Sequence, residues 1–279
     1  MKMRCRNHTA WIVALILILI GSFLSSCAGS DASGETRLEG ERELVVFTAA
    51  SLTESFQELE RLFEQQHRGV DVKLNVAGTQ VLRSQVEQGA HGDLFASADV
   101  FHLRALAEEG LAEKERMFAY NELVVLLPKS NPAEIQTLRD LAEKRARLVI
   151  GSENVPVGTY TRAFLDKADL YFGHGYKAKF LQNVVSLETN VKLVARKVAL
   201  GEADAGIVYP TELTPDILRD TEILPIPSEL NVQGAYAIAV LRGTRQPELA
   251  QAWIDMLLSE EGQRILAAHR LTTLEGTEK

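Results

Sequence analysis

The pattern that most constrains this chain is a repeated alternation of apolar strands and amphipathic helices that begins at Leu44. Residues 44–48 (LVVFT) are typical of a buried strand, and the residues after them place leucine and phenylalanine on one face of a helix. Two further strand and helix units follow, starting at Val70 and at Gly92. Such a βαβαβα order predicts a mostly parallel sheet with helices on both faces, which is an α/β fold.

The alternation is interrupted once and then restarts. Residues 121–128 (NELVVLLP) predict a long apolar strand, a helix is expected over about 133–144, and a second α/β unit follows. A second long strand is expected at 232–240, before two closing helices. Two long strands that bracket a middle unit indicate a chain that crosses between two lobes and returns, which makes a two-strand hinge. The expected boundaries are residues 44–123 and 237–279 for lobe 1, and residues 124–236 for lobe 2.

The N-terminal residues predict export. Basic residues precede an apolar run at 11–20, which is shorter than the roughly 20 residues of a membrane span. Residues 24–27 (LSSC) are similar to the lipobox of bacterial lipoproteins, in which the cysteine is lipidated. We therefore expect a lipoprotein signal peptide over 1–26, lipidation at Cys27 and a flexible tether over 27–43, which is rich in small and charged residues.

Charge and cysteine content exclude two classes of protein. The formal net charge is −8, so nucleic acid is not an expected partner. The two cysteines, Cys5 and Cys27, are both assigned to the export signal. The exported domain therefore has no disulfide, and its hydrophobic core must hold it together.

Four helix starts share one local pattern, in which a strand or loop ends in small or capping residues. They lie at Ser51, Thr79, Val157 and Val191. A helix start offers unpaired N–H groups, which favour an anion. Each start taken alone also fits an ordinary cap, and Ser51 with Glu54 matches a capping box. Four such starts spread over both lobes favour an anion site.

Tyr209 adds a further candidate donor. It ends a predicted strand in the second lobe, in the sequence GIVYP. Its phenol can donate a hydrogen bond to a ligand, and the alternative is a half-buried tyrosine that only packs.

Four segments in order carry a resemblance to a known family: FTAASLTESF, NVAGTQVLRSQVEQGAHGDLFASAD, NVPVGTYTRAFL and GEADAGIVYPTEL. In this order and spacing they resemble the molybdate-binding proteins of bacterial ABC importers. The resemblance extends from Leu44 to the final helix. It implies a type II periplasmic-binding-protein fold that closes on a tetrahedral oxyanion between two lobes.

The resemblance also implies a function. The ligand is molybdate or tungstate, the protein has no catalytic activity and no cofactor, and the molybdenum is held through its oxyanion without direct metal ligands. The partner is an ABC permease in the inner or plasma membrane, and the protein is an exported monomer, periplasmic or at the cell surface, with a lipid anchor. By position, the family's ligand residues correspond to Ser51, Thr79, Val157, Val191 and Tyr209. The family usually has serine at position 79 and often a smaller residue at 157, so this chain departs at both.

Other functions stay open from the residues alone. Sulfate has the charge and shape of molybdate, so a receptor for another tetrahedral oxyanion is an alternative. A serine hydrolase with Ser51 as nucleophile and a histidine as base is less favoured, because no G-x-S-x-G motif is present. A sensor or an adhesin built on a solute-binding domain is a third alternative.

Overall fold

The computed structural model describes residues 42–274, so the expected signal peptide, Cys27 and nearly all of the tether lie outside the described residues. The described chain forms eleven strands and ten α-helices. The strands are β1 (Arg42–Ala49), β2 (Val70–Ala77), β3 (Leu94–Ser97), β4 (Arg116–Asn121), β5 (Val124–Pro128), β6 (Leu148–Gly151), β7 (Val184–Glu188), β8 (Ala205–Val208), β9 (Thr221–Pro225), β10 (Gly234–Val240) and β11 (Thr272–Thr273). The helices are α1 (Thr53–Gln66), α2 (Thr79–Glu87), α3 (Phe101–Glu108), α4 (Asp140–Glu143), α5 (Pro156–Phe172), α6 (Tyr176–Gln182), α7 (Val191–Ala199), α8 (Pro215–Asp220), α9 (Pro247–Leu258) and α10 (Glu260–Ala268). Within residues 42–274 no helix is both long and apolar enough to cross a membrane.

The first sheet takes strands from both ends of the described chain. Its order is β11, β4, β10, β3, β1 and β2. β1 runs parallel to β2 and β3, whereas β10 runs antiparallel to β3 and β4. The apolar face of α1 buries Phe56 and Phe63 against Trp253 of α9. We define lobe 1 as this sheet with its helices.

The second sheet is built entirely from the middle of the chain. Its order is β7, β6, β8, β5 and β9, with β6 parallel to β7 and β8, and β5 antiparallel to both of its neighbours. Its core buries Phe164 and Leu165 of α5 and Val194 and Val198 of α7. We define lobe 2 as this sheet with its helices. The predicted α/β class with two lobes is confirmed, but the expectation of a mostly parallel sheet is not met. Both sheets are mixed, because β10 enters the first sheet and β5 enters the second antiparallel to their neighbours.

Two crossings join the lobes, and the Asn231 side chain in the second crossing forms hydrogen bonds with Leu123 in the first. The chain leaves lobe 1 at Glu122 and Leu123 and returns between β9 and β10. The buried Asn231 side chain accepts the Leu123 N–H at 3.0 Å and donates to the Leu123 carbonyl at 2.9 Å. β10 pairs within the first sheet over Gly234–Val240, so the expected lobe boundary between residues 236 and 237 falls inside this strand.

The long strand predicted over 121–128 is wrong as a single element. Asn121 is the last residue of β4, and β5 begins only at Val124. Between them, the Glu122 N–H donates to the Asn121 side chain and the Leu123 N–H donates to Asn231. These two N–H groups bond to side chains rather than to a neighbouring strand, so the chain passes from one sheet to the other here.

The helix predicted over about 133–144 is also wrong, because only Asp140–Glu143 is α-helical. Asn131 bonds both the N–H and the carbonyl of Ile135 through its side chain. Asp140 accepts the N–H groups of Gln136 and Thr137. These side-chain bonds satisfy the backbone locally and hold the preceding residues in a loop.

Candidate functional site

A cavity between the two lobes collects all five predicted ligand residues. The cavity is lined by residues at the ends of strands and at the starts of helices in both lobes. They are Ala49, Ala50, Ser51, Gly78, Thr79, Ala98, Val155, Pro156, Val157, Asn190, Val191 and Tyr209. The prediction that these five residues bind a ligand stays a prediction, but the fold does bring them together.

Lobe 1 contributes two hydroxyl groups. Ser51 lies in a short 3-10 helix, Ala50–Leu52, between β1 and α1, and its Oγ lies 2.9 Å from the Tyr236 hydroxyl. Thr79 is the first residue of α2, and its Oγ1 accepts the Ala98 N–H at 3.3 Å. The capping box expected from Ser51 and Glu54 does not form, since α1 starts after Leu52 without a side-chain cap.

Lobe 2 contributes backbone donors at two helix starts. Val157 follows Pro156 in the first turn of α5, and Val191 is the first residue of α7. N–H groups in a first helical turn have no acceptor within the helix, so both residues can offer them to a ligand. At α7 the Asn190 side chain already caps the Leu193 N–H.

Tyr209 brings the third hydroxyl, directly after β8. Its side chain is 1% exposed, and within the described part of the chain its hydroxyl has no hydrogen-bond partner. Burial, followed by the neighbouring tyrosines and carboxyls, raises the pKa of Tyr209 well above its usual value. The hydroxyl therefore stays protonated, and a buried donor without a partner is costly unless a ligand pairs with it.

The cavity is electrically neutral at its surface. None of the described residues that line it carries a charged side chain. A buried carboxyl, Glu212, lies outside the lining, and burial raises its pKa to about 7 although Lys192 opposes the shift. The Lys192 ammonium lies 3.9 Å from Glu212 and 2.6 Å from Glu54.

Several contacts hold the lobes together around the cavity. The ion pair of Lys192 in α7 with Glu54 in α1 joins lobe 2 to lobe 1. Gln80 in α2 donates to the Thr189 carbonyl at 2.7 Å. Gly78 faces the same carbonyl so closely that a Cβ there would overlap the oxygen. Glycine at 78 therefore permits this approach of the two lobes.

Two residues behind the site, Asn121 and Tyr236, were not predicted, and neither was Asn231 at the crossing between the lobes. Tyr236 was visible only as part of an apolar strand, and its contact with Ser51 joins positions 185 residues apart. Its hydroxyl also receives the Asn121 amide at 3.4 Å. No local sequence pattern reports such a pairing, because it arises when β10 pairs with β4.

Four of the five described histidines bond to groups other than Ser51. His67, His102, His174 and His269 bond to Phe63, Asn154, Asp169 and Glu58, respectively. Within residues 42–274, the side-chain hydrogen bond of the Ser51 hydroxyl goes to Tyr236. The described residues also contain no group of three or more His, Cys, Asp or Glu that could hold a metal ion.

Comparison with known proteins decides the family. The model of the bacterial extracellular solute-binding protein family matches residues 44–269. This chain belongs to that family. Solute-binding proteins of this family act outside the cytoplasm as receptors.

The solute-binding protein described here is 33% identical over 259 residues to the molybdate-binding protein ModA of Mycobacterium tuberculosis (H37Rv). The alignment covers 92% of this chain and 94% of the relative. ModA of Escherichia coli (K12) is 26% identical over 261 residues, covering 90% of this chain and 97% of the relative.

Solved structures confirm the fold. The periplasmic molybdate-binding protein of Azotobacter vinelandii superposes on this solute-binding protein with a TM-score of 0.70 at 20% identity, over 82% of this chain and 98% of that chain. The sulfate-binding protein SubI of M. tuberculosis H37Rv gives 0.73 at 15% identity, over 84% and 88%. At these identities the likeness shows the fold alone, and it is the periplasmic-binding-protein fold that the resemblance implied.

Proposed function

We propose that this protein is an extracytoplasmic receptor that binds molybdate, and also tungstate, between its two lobes and delivers it to an ABC importer. Its similarity to molybdate-binding proteins over nearly the whole chain supports the proposal. The observation that carries it is the neutral cavity between the lobes, which is lined by hydroxyls and helix starts from both sides.

The chemistry of this cavity suits a fully deprotonated tetrahedral dianion. Molybdate and tungstate carry no proton at neutral pH, so their oxygens can only accept hydrogen bonds. The site offers three hydroxyls, at Ser51, Thr79 and Tyr209, and the first N–H groups of α5 and α7. Phosphate keeps a proton at neutral pH and favours a carboxylate acceptor, which the described lining does not contain.

Calorimetric titration with four anions tests the proposal. We expect the purified protein to bind molybdate and tungstate tightly and to reject phosphate. Sulfate should bind more weakly, because its sulfur–oxygen bonds are shorter than the metal–oxygen bonds of molybdate and the smaller anion reaches the donors less well. Tight binding of phosphate, or no binding of molybdate, would contradict the proposal. Tighter binding of sulfate than of molybdate would favour the alternative receptor.

The absence of catalysis belongs to the same proposal. The partner of Ser51 is a tyrosine hydroxyl rather than a histidine, so the serine has no adjacent base to activate it. We expect no hydrolysis of activated esters above the rate of the Ser51→Ala variant. Turnover that depends on Ser51 would show a hydrolase.

We also propose that the receptor is a monomer, anchored through a lipid on Cys27. The support for the anchor is the lipobox-like sequence that ends at this cysteine. Mass spectrometry of the protein from bacterial membranes should show a diacylated N-terminal cysteine, and Cys27→Ser should release the protein into the soluble fraction. An unmodified N-terminus would refute the anchor.

A further inference from the structure

Behind Ser51 lies a chain of buried hydrogen bonds that reaches the crossing between the lobes. Ser51 Oγ lies 2.9 Å from the Tyr236 hydroxyl, which lies 3.4 Å from Asn121 Nδ2. Asn121 Nδ2 also donates to Thr211 Oγ1 in lobe 2, at 3.2 Å. Thr211 in turn donates to the Glu212 carboxyl at 3.4 Å. All five side chains are buried, and of the five only Ser51 lines the cavity.

The donor and acceptor roles in this series of hydrogen bonds can be assigned from Asn121. Its Oδ1 accepts the Glu122 N–H at 3.1 Å, and a backbone N–H can only donate. The amide oxygen is therefore identified, and the other amide atom must be the nitrogen that faces Tyr236 and Thr211. Both of these hydroxyl oxygens accept hydrogens from the Asn121 side chain.

Tyr236 must then donate to Ser51. Within the described residues the Tyr236 hydroxyl has two hydrogen-bond partners, Asn121 and Ser51, and the amide nitrogen of Asn121 cannot accept its hydrogen. If Ser51 donated instead, the Tyr236 hydrogen would be buried without an acceptor, which is costly. Burial also raises the pKa of Tyr236, so this hydroxyl keeps its proton.

The Ser51 hydroxyl hydrogen is therefore not used in the bond with Tyr236, and it can point into the open cavity that Ser51 lines. Since its oxygen accepts the Tyr236 hydrogen, its own hydrogen points away from Tyr236. Thr79 is arranged in the same sense, because its oxygen accepts the Ala98 N–H and its own hydrogen stays available. Both hydroxyls of lobe 1 are therefore set as donors before any ligand arrives.

We propose that Tyr236 and Asn121 are positioning residues that orient Ser51 as a donor toward the cavity, so that lobe 1 selects oxyanions whose facing oxygens carry no proton. This inference rests on the proposed function for its ligand, and it adds the reason why the site distinguishes a deprotonated anion from a protonated one. Neither residue lines the cavity.

A double-mutant cycle tests this role. Tyr236→Phe keeps the ring and removes the hydroxyl, so we expect about a tenfold loss of molybdate affinity by calorimetry, the scale of one hydrogen bond. In a Ser51→Ala background the same substitution should change the affinity less than about twofold, because Tyr236 acts only through Ser51. An equal loss in both backgrounds, or no loss in either, would overturn the role.

Tyr176→Phe is the matched control. Tyr176 is also buried, its hydroxyl donates to the Leu138 carbonyl at 2.6 Å, and it lies in lobe 2 away from the cavity lining. We expect it to lower the melting temperature without changing the molybdate affinity. A loss of affinity as large as that of Tyr236→Phe would show that general destabilisation explains both.

A measurement on the unliganded wild-type protein separates this inference from the proposed function and does not depend on whether a variant folds. The Tyr236 hydroxyl proton should be visible by NMR, slowly exchanging, with a cross-peak to the Ser51 β-protons. A Ser51 hydroxyl proton that points to Tyr236 would refute the orientation even if molybdate binds. If another of the four anions binds in place of molybdate, the same cycle is carried out with that anion.

Discussion

The two lobes approach one cavity with different chemistry. Lobe 1 offers Ser51 and Thr79, whose hydroxyl oxygens already have protein partners. Lobe 2 offers backbone N–H groups and the Tyr209 hydroxyl, which has no partner among the described residues. Lobe 1 is therefore organised before binding, whereas the hydroxyl of lobe 2 is satisfied only when a ligand arrives. This difference suggests an order in which the anion docks on lobe 1 and lobe 2 then closes over it.

Gly78→Ala should have the largest effect on ligand binding, because its added methyl group blocks the approach of lobe 2 to lobe 1. The backbone at Gly78 is extended and suits alanine, but the added methyl would overlap the Thr189 carbonyl of lobe 2. Overpacking of this kind costs up to about 3 kcal/mol, so we expect molybdate affinity to fall by about 100-fold in calorimetry.

Gly243→Ala is the control for that variant, since a Cβ at Gly243 meets no atom within 4 Å. It should leave the affinity unchanged. Equal affinities for Gly78→Ala and the wild-type protein would show that the lobes need not approach so closely when the ligand binds.

Glu212 gives the second lobe a dependence on pH. Burial raises its pKa from the usual 4.5 to about 7 in the folded protein. Between these values the folded state binds more protons than the unfolded chain, so stability falls as pH rises from about 5 to 8, by about 2 to 3 kcal/mol. Urea unfolding of the Glu212→Gln variant should lack this decline. The same decline in both proteins would assign it to other groups.

Ser51→Ala tests the organised lobe. It removes one donor to the anion and leaves the Tyr236 hydrogen without its acceptor. We expect a loss of about 1 to 3 kcal/mol in the free energy of molybdate binding and a lower free energy of unfolding of the unliganded protein. Unchanged affinity in calorimetry would show that Ser51 does not contact the ligand.

Tyr209→Phe tests the other lobe, and its two effects should have opposite signs. The hydroxyl has no partner without a ligand, so its removal should leave the unliganded protein equally stable or more stable. Molybdate binding should weaken by about 1 to 2 kcal/mol as one donor is lost. If thermal unfolding shows a destabilised unliganded protein, Tyr209 has a protein partner in solution.

Lys192→Met should have the smallest effect. It removes the ion pair with Glu54 that joins the lobes, and it also removes the 3.9 Å contact with buried Glu212. Both side chains of the Glu54 pair are partly exposed, so that pair contributes about 0.2 to 1 kcal/mol. We expect a loss of molybdate affinity within fivefold that shrinks as salt is raised. A loss that is independent of salt would indicate a direct contact between Lys192 and the anion.

The sequence predicted what local patterns encode. The α/β class followed from the alternation after Leu44, and the five helix-start and strand-end residues now lie around one cavity. The helix expected over about 133–144 was wrong because Asn131 and Asp140 bond the backbone through their side chains, which periodicity does not register.

Long-range pairings could not be predicted from the sequence. Tyr236 meets Ser51 only because β10 returns to the first sheet, and Asn231 reaches Leu123 across 108 positions. A single sequence carries no periodic or spacing signal for either contact. The predicted boundary inside β10 has the same origin, since the strand reads as apolar throughout and its sheet partner is not a local property.

Neutral donors from both lobes should enclose a tetrahedral dianion. A crystal structure with molybdate, recorded at the molybdenum absorption edge, would locate this anion. The anomalous peak should lie in the cavity, with oxygens within hydrogen-bond distance of Ser51, Thr79 and Tyr209 and of the N–H groups of Val157 and Val191. A peak outside the cavity, or an anion held mainly by lysine and arginine, would contradict the account.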